Sequence, residues 1–402
     1  MRSDTLDQPP RIDLVDPGLY SDGDPFAQWR WLRANDPVYL HGPTDYPSFW
    51  ALTRYEDVKA VFRDAETFSS AQGILLRPSG HGADPGGGRT LALTDPPRHR
   101  QLRGLVEEWF TVRSVRAIEA KMREVAGSVI DLAVERERCD FVGDIAARIP
   151  LYMICSMMGV PESDWERLFT LSRQAFGADD AMTRRFAHLE IMGYFANLAM
   201  AKAAYPADDL VSVLVTGEIE GARISKEEII LNCDNLFVGG AENTRIAAAG
   251  GMLAFLEHPE QWRRLVEDPT LLPTSVEEVL RWTSTPTHIL RTALRPLEIR
   301  GRRIDAGDLV TLWIPSANRD DEVFTNPDQF DVSRQPNRHL ALGFGEHFCV
   351  GNKLARVEIR LLYQELIDRS LGIELDGEPR RLGSIVVNGL EHLPVKLVPR
   401  RS

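Results

Sequence analysis

The sequence has no run of about 18 apolar residues, and its first residues lack the apolar core of a secretion signal. Its cysteines are few and widely spaced, at Cys139, Cys155, Cys233 and Cys349. Such spacing fits a reducing compartment better than a disulfide framework. We therefore expect a soluble, cytoplasmic protein without a membrane anchor.

The chain also lacks an excess of positive charge, because 47 Lys and Arg residues stand against 59 Asp and Glu, a net charge of −12. Binding to nucleic acid depends on basic residues that neutralise phosphates, so no nucleic acid partner is expected. Residues 77–89 are rich in glycine but lack the Gly-Lys-Ser/Thr ending of a phosphate loop. We interpret them as a flexible lid or loop.

Nothing in the chain marks a boundary between two large domains. No internal repeat and no long Pro/Gly/Ser linker divides it. The sequence therefore predicts a loose N-terminal tail at 1–14 and a single large domain at 15–402.

Hydrophobic periodicity and capping residues predict a mainly helical chain with small sheets at one side. The predicted helices are 25–35, 55–64, 98–111, 114–136, 143–158, 161–175, 182–203, 207–216, 226–257, 259–268, 272–282 and 351–369. The predicted strands are 38–40, 49–52, 288–293, 297–299, 309–313 and 394–397. The longest helix opens with a capping box, in which Ser225 and Glu228 satisfy amides at the helix start.

Two glycines, Gly239 and Gly240, lie in the middle of this longest helix, shortly before Glu242. Each mid-helix glycine costs about 1 kcal/mol relative to alanine, so something has to compensate. One explanation is a ligand that presses against the backbone beside the acid. The other is that the glycines let a second helix pack closely, with Glu242 facing solvent.

Cys349 lies in residues 342–351, Leu-Gly-Phe-Gly-Glu-His-Phe-Cys-Val-Gly, which lead into a predicted helix. Gly343 and Gly345 permit backbone angles and close approaches that other residues do not, and Gly351 keeps the first helical turn free of bulk. A thiolate at a helix N-terminus is stabilised by the helix dipole and by unpaired amides, which lower its pKa. The pattern indicates a thiolate that binds a metal, and the metal we expect is haem iron.

Over roughly residues 15–399 the chain resembles the cytochrome P450 family, the haem-thiolate monooxygenases, in its soluble bacterial form. The most specific part is Gly345-x-x-x-Cys349-x-Gly351, followed by Leu354-Ala355-Arg356-x-Glu358. The resemblance implies a single, mainly α domain with small β-sheets. It also implies haem b (iron protoporphyrin IX) between a long distal helix and a proximal cysteine loop and helix, with the Cys349 thiolate as axial iron ligand.

The resemblance further implies which residues hold the haem. Two propionates in an apolar cleft require charged hydrogen bonds, and the residues that match the family's propionate ligands are His99, Arg103, Arg291 and His347. Three glycines are expected against the haem, namely Gly240, Gly345 and Gly351. The family's Glu-x-x-Arg element is matched by Glu278 and Arg281, and its partner arginine by Arg334. These three are expected to form a buried charge network that holds the proximal loop.

On the distal helix the chain departs from the family pattern. Family members usually place a threonine directly after the acid, whereas here Asn243 follows Glu242 and the threonine is displaced to Thr244. The resemblance implies that Glu242 carries protons, with Thr244 or a substrate hydroxyl as further candidates. An amide is not a comparable acid or base, so we expect Asn243 to position water or substrate. A second departure is Leu342, where the family motif normally begins with phenylalanine.

By resemblance the substrate pocket lies near 77–92 and 168–200. Its expected lining is Phe237, Ala241, Thr287, His288, Ile289, Val387 and Asn388. That profile suits a medium-sized, largely apolar metabolite, which we expect the enzyme to hydroxylate, epoxidise or couple with O2 in bacterial secondary metabolism.

The chain contains no flavin or iron–sulfur region of its own, so electrons are expected from a ferredoxin or flavodoxin and its reductase. The expected landing patch for an acidic ferredoxin is Arg98, Arg100, Arg113, Lys353, Arg356 and Arg360. The alternative is an ordinary run of solvated cations.

Two other readings of the chain stay open. A haem sensor or ligand-binding protein without oxygenase turnover would account for Asn243, and it predicts haem binding without substrate-dependent oxygen consumption. A zinc site of His339, His347 and Cys349 is disfavoured, because His-x-Cys lacks the paired ligand spacing of zinc sites.

Overall fold

The computed structural model describes residues 11–80, 84–177, 180–369 and 371–399. Its α-helices are α1 (Pro17–Ser21), α2 (Pro25–Asn35), α3 (Tyr55–Arg63), α4 (Arg98–Val106), α5 (Val112–Arg136), α6 (Arg148–Met157), α7 (Trp165–Gly177), α8 (Ala181–Ala204), α9 (Leu210–Thr216), α10 (Lys226–Glu257), α11 (Pro259–Glu267), α12 (Leu272–Thr283), α13 (Ile314–Ala317) and α14 (Asn352–Asp368). Among the described residues, none of these helices has the length and apolarity needed to cross a membrane.

The strands are short, none longer than six residues among the described parts of the chain. They are β1 (Val38–His41), β2 (Phe49–Leu52), β3 (Phe68–Ser69), β4 (Arg138–Asp140), β5 (Glu218–Ile219), β6 (Ala222–Arg223), β7 (His288–Ala293), β8 (Leu297–Ile299), β9 (Arg302–Ile304), β10 (Leu309–Trp313), β11 (Leu371–Leu375), β12 (Arg380–Arg381), β13 (Leu390–His392) and β14 (Pro394–Pro399). The mainly helical fold with small sheets that the sequence predicts is confirmed.

The helical core is built around α10, a continuous helix of 32 residues. Its N-terminus has the predicted capping box: the Ser225 hydroxyl accepts the Glu228 N–H at 3.2 Å, and the Glu228 carboxylate accepts the Ser225 N–H at 2.9 Å. Helices α6, α8, α12 and α14 pack against α10. Because it contacts so many elements, α10 positions its central residues rigidly at the middle of the domain.

A five-stranded sheet of order β1-β2-β10-β7-β3 forms the other side of the domain. Strand β10 pairs with β2 in parallel and with β7 antiparallel, which places Arg291 opposite Val310. A smaller sheet of order β11-β14-β4 joins the chain's C-terminal strands to the end of α5. The larger sheet thus holds Arg291 in a fixed, buried position beside the helical core.

Two predicted flexible segments are only partly within the described residues. Residues 1–10 of the expected tail lie outside them, whereas Leu14 is buried and Ile12 packs against the same cluster. Of the glycine-rich segment 77–89, residues 81–83 lie outside the described part. Its later half is closely packed, since a β-carbon on Gly87 would lie 2.5 Å from the carbonyl oxygen of Ala71.

Candidate active site

The loop before Cys349 requires glycine at two positions. Gly343 and Gly345 have φ values of +72° and +70°, which favour glycine. A β-carbon on Gly345 would also lie 2.6 Å from the carbonyl oxygen of Phe62, so no larger residue fits without a backbone shift. The Cys349 N–H donates to the Leu342 carbonyl at 2.9 Å, which closes the loop and fixes the cysteine.

Cys349 lines a central cavity of about 330 Å³ between α10 and α14. From α10 the cavity is lined by Asn235, Leu236, Gly239, Gly240, Asn243, Thr244 and Ala247. Opposite them lie the cysteine loop and the first turns of α14, and the sides include Ile74, Leu91, Ala92, Thr285, Pro286 and Ile289. The cavity therefore joins a thiol to a largely apolar wall on the distal helix.

The protein groups around Cys349 do not lower its pKa, contrary to the sequence prediction. Burial raises the pKa of the thiol, while the Gly351 amide and the guanidinium groups of Arg103 and Arg356 oppose that shift. Burial outweighs them because the thiol lies wholly inside the domain. A coordinated metal cation removes the proton of such a thiol, so the site suits a metal-bound thiolate rather than a free one.

Four basic side chains line the same cavity: His99, Arg103, Arg291 and His347. The rings of His99 and His347 are 4.1 Å apart between centroids. Burial lowers the pKa of Arg291 to about 10 and, with the nearby arginines and His99, that of His347 to about 2. Burying the charged arginines in such a cluster is costly without an anion.

The described residues leave this cluster of basic side chains short of anionic partners. The Nδ1 atom of His99 is buried without a hydrogen-bond partner among them. Arg291 donates to the Leu290 carbonyl and Arg103 to the Phe348 carbonyl. Arg103 also forms an ion pair, at 3.6 Å, with the more exposed Glu107 carboxylate. The two propionates of a haem would supply the missing acceptors, so the residues present fit the cofactor that the resemblance implies.

A buried charge network lies below the cysteine loop. Glu278 and Arg281 are fully buried and paired at 2.8 Å, and Arg334 contacts the same carboxylate at 3.1 Å. Arg281 and Arg334 also bind backbone carbonyls in the segment between α13 and the loop, and the Glu278 carboxylate accepts the Asp331 N–H at 2.9 Å. The structure thus brings all three predicted residues together and ties α12 to the segment that precedes Cys349.

The two mid-helix glycines of α10 have different surroundings. A β-carbon on Gly240 would lie 2.9 Å from the Ile154 side chain, so Gly240 allows α6 to pack closely. At Gly239 a β-carbon would meet nothing within 4 Å, because this residue faces the central cavity. Close helix packing therefore explains Gly240, which also lines the cavity, whereas Gly239 leaves room for a ligand, whose contact with the backbone stays a prediction.

Glu242 is not brought into the central cavity. Its carboxylate binds Arg245 at 2.6 Å, accepts a hydrogen bond from Ser172 at 3.3 Å, and lines a second, polar cavity of about 280 Å³. The carboxylate lies outside the central cavity because Arg245 and Ser172 hold it, although residue 242 is only about one turn from Gly239. Asn243 and Thr244 do line the central cavity, and a role of Glu242 in proton transfer stays a prediction.

Glu358 lines the central cavity, a position that the sequence analysis did not assign to it. It is fully buried, and burial raises its pKa to about 8. The Thr244 hydroxyl lies close and opposes this shift, yet neither carboxylate oxygen accepts a hydrogen bond of ordinary geometry from the described residues. In the sequence, Glu358 is marked only by its position in the helix that follows the cysteine, nine residues after Cys349. That spacing does not show that its carboxylate is unpaired.

Of the substrate-pocket residues predicted by name, all of which the structure describes, only Ile289 lines the central cavity, and of the predicted range 77–92, Leu91 and Ala92 line it. His288 instead joins two loops, since its ring contacts the Leu76 N–H at 3.0 Å and the Ile385 carbonyl at 2.8 Å. The Asn388 amide donates to the Thr283 carbonyl at 2.6 Å. The placements predicted for both are wrong, because each side chain satisfies backbone groups rather than facing a ligand.

The remaining pocket predictions fail for reasons of packing and pairing. Phe237 packs on Phe195, with ring centroids 5.3 Å apart, and Ala241 is buried within the helical core. Thr287 is buried in the strand region, and Val387 pairs with Pro286 in an isolated β-bridge. The α10 residues that line the cavity lie on one face of the helix. Asn235, Gly239 and Asn243, for example, follow one another at intervals of four residues.

The zinc alternative is contradicted by the arrangement of the side chains. His339 pairs with Glu277 at 3.1 Å rather than with the cysteine loop. In the ranges that the structure describes, no group of three or more His, Cys, Asp or Glu side chains is arranged to hold a metal ion. The cavity, with a single cysteine and basic side chains around it, therefore fits haem and not zinc.

Known proteins are similar to this chain in both sequence and fold. A family model described as Cytochrome P450 matches residues 196–370. Cytochrome P450 NovI of Streptomyces niveus is 36% identical over 392 residues, which cover 96% of each chain. A steroid C26-monooxygenase of Mycolicibacterium smegmatis is 36% identical over 400 residues, which cover 97% of each chain.

Among solved structures, the fold is similar to that of P450 OxyD, which is involved in the biosynthesis of vancomycin-type antibiotics. The TM-score is 0.90 at 36% sequence identity, and the match covers 97% of this chain and 100% of the other. The similarity therefore extends over the whole domain, from the N-terminal helices to the C-terminal strands.

Proposed function

Because the chain belongs to the cytochrome P450 family, we propose that this haem monooxygenase oxidises a medium-sized, largely apolar metabolite in bacterial secondary metabolism. When bound, the haem supplies the activation of O2 at an iron held by the cysteine thiolate. One oxygen atom enters the substrate, and the other leaves as water with two electrons and two protons. The observation that carries the proposal is the cavity shared by Cys349, the four basic side chains and the apolar part of the α10 wall.

The lining of the cavity supports an apolar substrate with few polar contacts. Leu91, Ala92 and Ile289 are apolar, and the polar groups from the distal helix are the amides of Asn235 and Asn243 and the hydroxyl of Thr244. We assign substrate orientation to these two amides. The relation to OxyD supports a role in secondary metabolism, and the relation to a steroid monooxygenase supports an apolar ligand.

Within the site, we assign the proton-holding group to Glu358. With a pKa of about 8, its buried carboxyl keeps its proton at neutral pH and is available as a donor beside the Thr244 hydroxyl. Glu242 is paired with Arg245 and lines the second cavity, so its carboxylate does not reach the central cavity directly. Asn243 then orders water or substrate between these groups without exchanging protons itself.

For the electron supply, we propose that a ferredoxin or flavodoxin binds near the cysteine loop. Four of the six predicted cations are paired with acids: Arg98 with Glu228, Arg100 with Glu346, Arg356 with Glu277 and Arg360 with Glu119. Among the described residues, Arg113, Arg116 and Lys353 are exposed without an acidic partner. We therefore keep Arg113 and Lys353 from the predicted patch, add Arg116, which the sequence analysis did not name, and assign no docking role to the four paired arginines.

The test begins with the purified, haem-loaded chain. A thiolate-bound haem gives a strongly red-shifted ferrous–carbonyl spectrum, and a panel of apolar metabolites is then screened for spin-state shifts. Hits are incubated with ferredoxin, its reductase and isotopically labelled O2. A product that carries one labelled oxygen atom supports the proposal. A thiolate spectrum and ligand binding without any ligand-dependent oxygen consumption would favour the sensor alternative.

A further inference from the structure

Helix α8 exposes a line of apolar residues to solvent. Met182, Phe186, Leu189 and Met200 are 66%, 62%, 52% and 69% exposed, whereas most large apolar residues of the chain are buried. Gly193 and the half-buried Ala196 continue the same line. We call these six positions the α8 stripe. Their spacing of four, three, four, three and four residues keeps them on one face of the helix.

The opposite face of α8 is already covered. Ala187, Ile191, Phe195 and Ala199 are buried, and Phe195 packs on Phe237 of the distal helix. The helix is thus apolar on two faces, of which the domain uses only one. A helix with one face in solvent ordinarily carries polar residues there, and a contiguous exposed apolar patch marks an interaction site.

The α8 stripe is complementary to itself in an antiparallel arrangement. Reversal about the level of residue 191 maps the six positions onto themselves. Met182 then faces Met200 of a second chain, Phe186 faces Ala196, and Leu189 faces Gly193. Each of the two largest side chains in the N-terminal half meets one of the two smallest residues in the C-terminal half, which allows close packing of two helices.

We propose that the α8 stripe is the interface of a homodimer, in which two copies of α8 pack antiparallel about a two-fold axis. A two-fold interface has to be self-complementary, and the stripe meets that condition at every position. The flanking charges do not oppose it, because Arg185 would face Asn197 and Glu190 would face Met192 of the other chain. The proposal concerns assembly and does not depend on the substrate or redox partner proposed above.

The size of the stripe indicates a weak dimer. Its 18-residue span corresponds to about 27 Å of helix, and stable specific interfaces ordinarily bury about 1,200–2,000 Å² in total. One helix pair is small on that scale, and each chain carries a net charge of −12, which repels the other at long range. We therefore expect a concentration-dependent dimer that becomes tighter when salt screens the net charge.

The test is sedimentation equilibrium of the haem-loaded full chain across about 1 to 200 μM. Leu189→Glu introduces a charge opposite Gly193 and should raise the dimer dissociation constant about tenfold or more. Leu40→Glu is the matched control, because Leu40 is 50% exposed against 52% for Leu189 but lies on β1, away from the stripe. Both variants should keep the wild-type ferrous–carbonyl spectrum, which shows that they fold.

A second measurement tests the register. Chains that carry Leu189→Cys are mixed with chains that carry Gly193→Cys, and mild oxidation should yield mainly the crosslinked heterodimer. A chain that stays monomeric over the whole concentration range overturns the proposal and leaves the stripe to a different partner. The proposal is also overturned if Leu189→Glu weakens the dimer no more than Leu40→Glu does, or if a dimer forms without the crosslink.

Discussion

Thr244 and Glu358 lie side by side in the central cavity, although one comes from the distal helix α10 and the other from α14, the helix that follows the cysteine. A carboxyl group is thus placed between the two helices that frame the cavity. Because neither of its oxygens has a hydrogen-bond partner among the described residues, the charged form is strongly disfavoured there.

The raised pKa of Glu358 predicts that stability falls as pH rises. The folded protein keeps the proton up to a pKa of about 8, whereas the unfolded chain releases it near 4.5. The stabilisation is complete below the lower value and is lost as pH approaches the higher one. Between pH 6 and 8 we expect a loss of about 2 kcal/mol in the free energy of unfolding.

Thermal or denaturant unfolding of the haem-loaded protein at several pH values measures this slope. Glu358→Gln removes the titrating group and should flatten it, while Glu242→Gln, a matched change on the other side of α10, should leave it as in the wild type. Equal slopes for the wild type and Glu358→Gln would contradict the assignment.

Asn243 is predicted to control how electrons are used. If its amide orders water or substrate, Asn243→Ala should lower the product formed per electron by about tenfold, less than the roughly 10²–10⁴-fold effect of a group that itself transfers protons. Asn243→Thr should change both the product distribution and the release of hydrogen peroxide. Thr287→Val is the control, because Thr287 is buried nearby but does not line the cavity. Unchanged products, turnover and peroxide release in Asn243→Thr would mean that the amide has no special role.

Arg103 is predicted to hold haem, and Arg100 on the same helix is not. Arg103 lines the cavity, whereas Arg100 is exposed and paired with Glu346 on the surface. A hydrogen bond between charged groups contributes about 1.5–3 kcal/mol, so Arg103→Gln should speed haem loss about tenfold or more. Transfer of haem to an excess of an apo-globin measures the rate. Similar rates of haem loss for Arg103→Gln and Arg100→Gln would contradict a specific role of Arg103 in holding haem.

The local rules of helix formation gave most of the fold. The predicted boundaries of α2 and α10 agree with the structure, because a proline or a capping box marks the start of each. The short helices α1 and α13 and the two-residue strands were not predicted, since so few residues carry no periodic pattern. Their existence depends on tertiary contacts, as when β3 pairs with β7.

The site was predictable where a backbone constraint left a mark in the sequence. Gly345 is an example, because its positive φ and the approach of Phe62 exclude other residues. Side-chain direction left no such mark. His288 and Asn388 are polar residues near the cavity, yet both satisfy backbone groups, and only the packed structure shows which way they point. The sequence also did not show that the Glu242 side chain lies outside the central cavity, where the ion pair with Arg245, one turn along the helix, holds it.

The buried pair of Glu278 and Arg281 predicts a large loss of stability when one partner is removed. Both side chains are fully buried, so Arg281→Ala removes the closest cationic partner of the Glu278 carboxylate, leaves Arg334 as its remaining guanidinium, and should cost about 3–5 kcal/mol. Arg302→Ala removes a surface pair with Asp36, where both side chains reach solvent, and should cost about 1 kcal/mol or less. Denaturant unfolding compares the two. A cost of Arg281→Ala as small as that of Arg302→Ala would contradict a structural role for the network.

The exposed cations near the cysteine loop predict a salt-dependent reduction rate. Lys353 and Arg113 lie at the starts of α14 and α5, which pack against each other, and both are exposed. Charge reversal by Lys353→Glu should slow reduction by an acidic ferredoxin about tenfold at low salt, because complementary charges mainly raise the association rate. The difference should shrink as salt approaches about 0.5 M, where charges are screened beyond a few ångströms.

The control for this prediction is Arg303→Glu, an equal charge reversal at an exposed residue on β9, in the small sheet β8–β9. The two variants change the net charge by the same amount. If docking depends on where the charge lies, Arg303→Glu should slow the reduction far less. Chemical reduction of the haem by dithionite should be the same for both, which separates partner docking from the properties of the haem site. If Lys353→Glu and Arg303→Glu slow the ferredoxin equally, the effect belongs to net charge, and the patch has no part in docking.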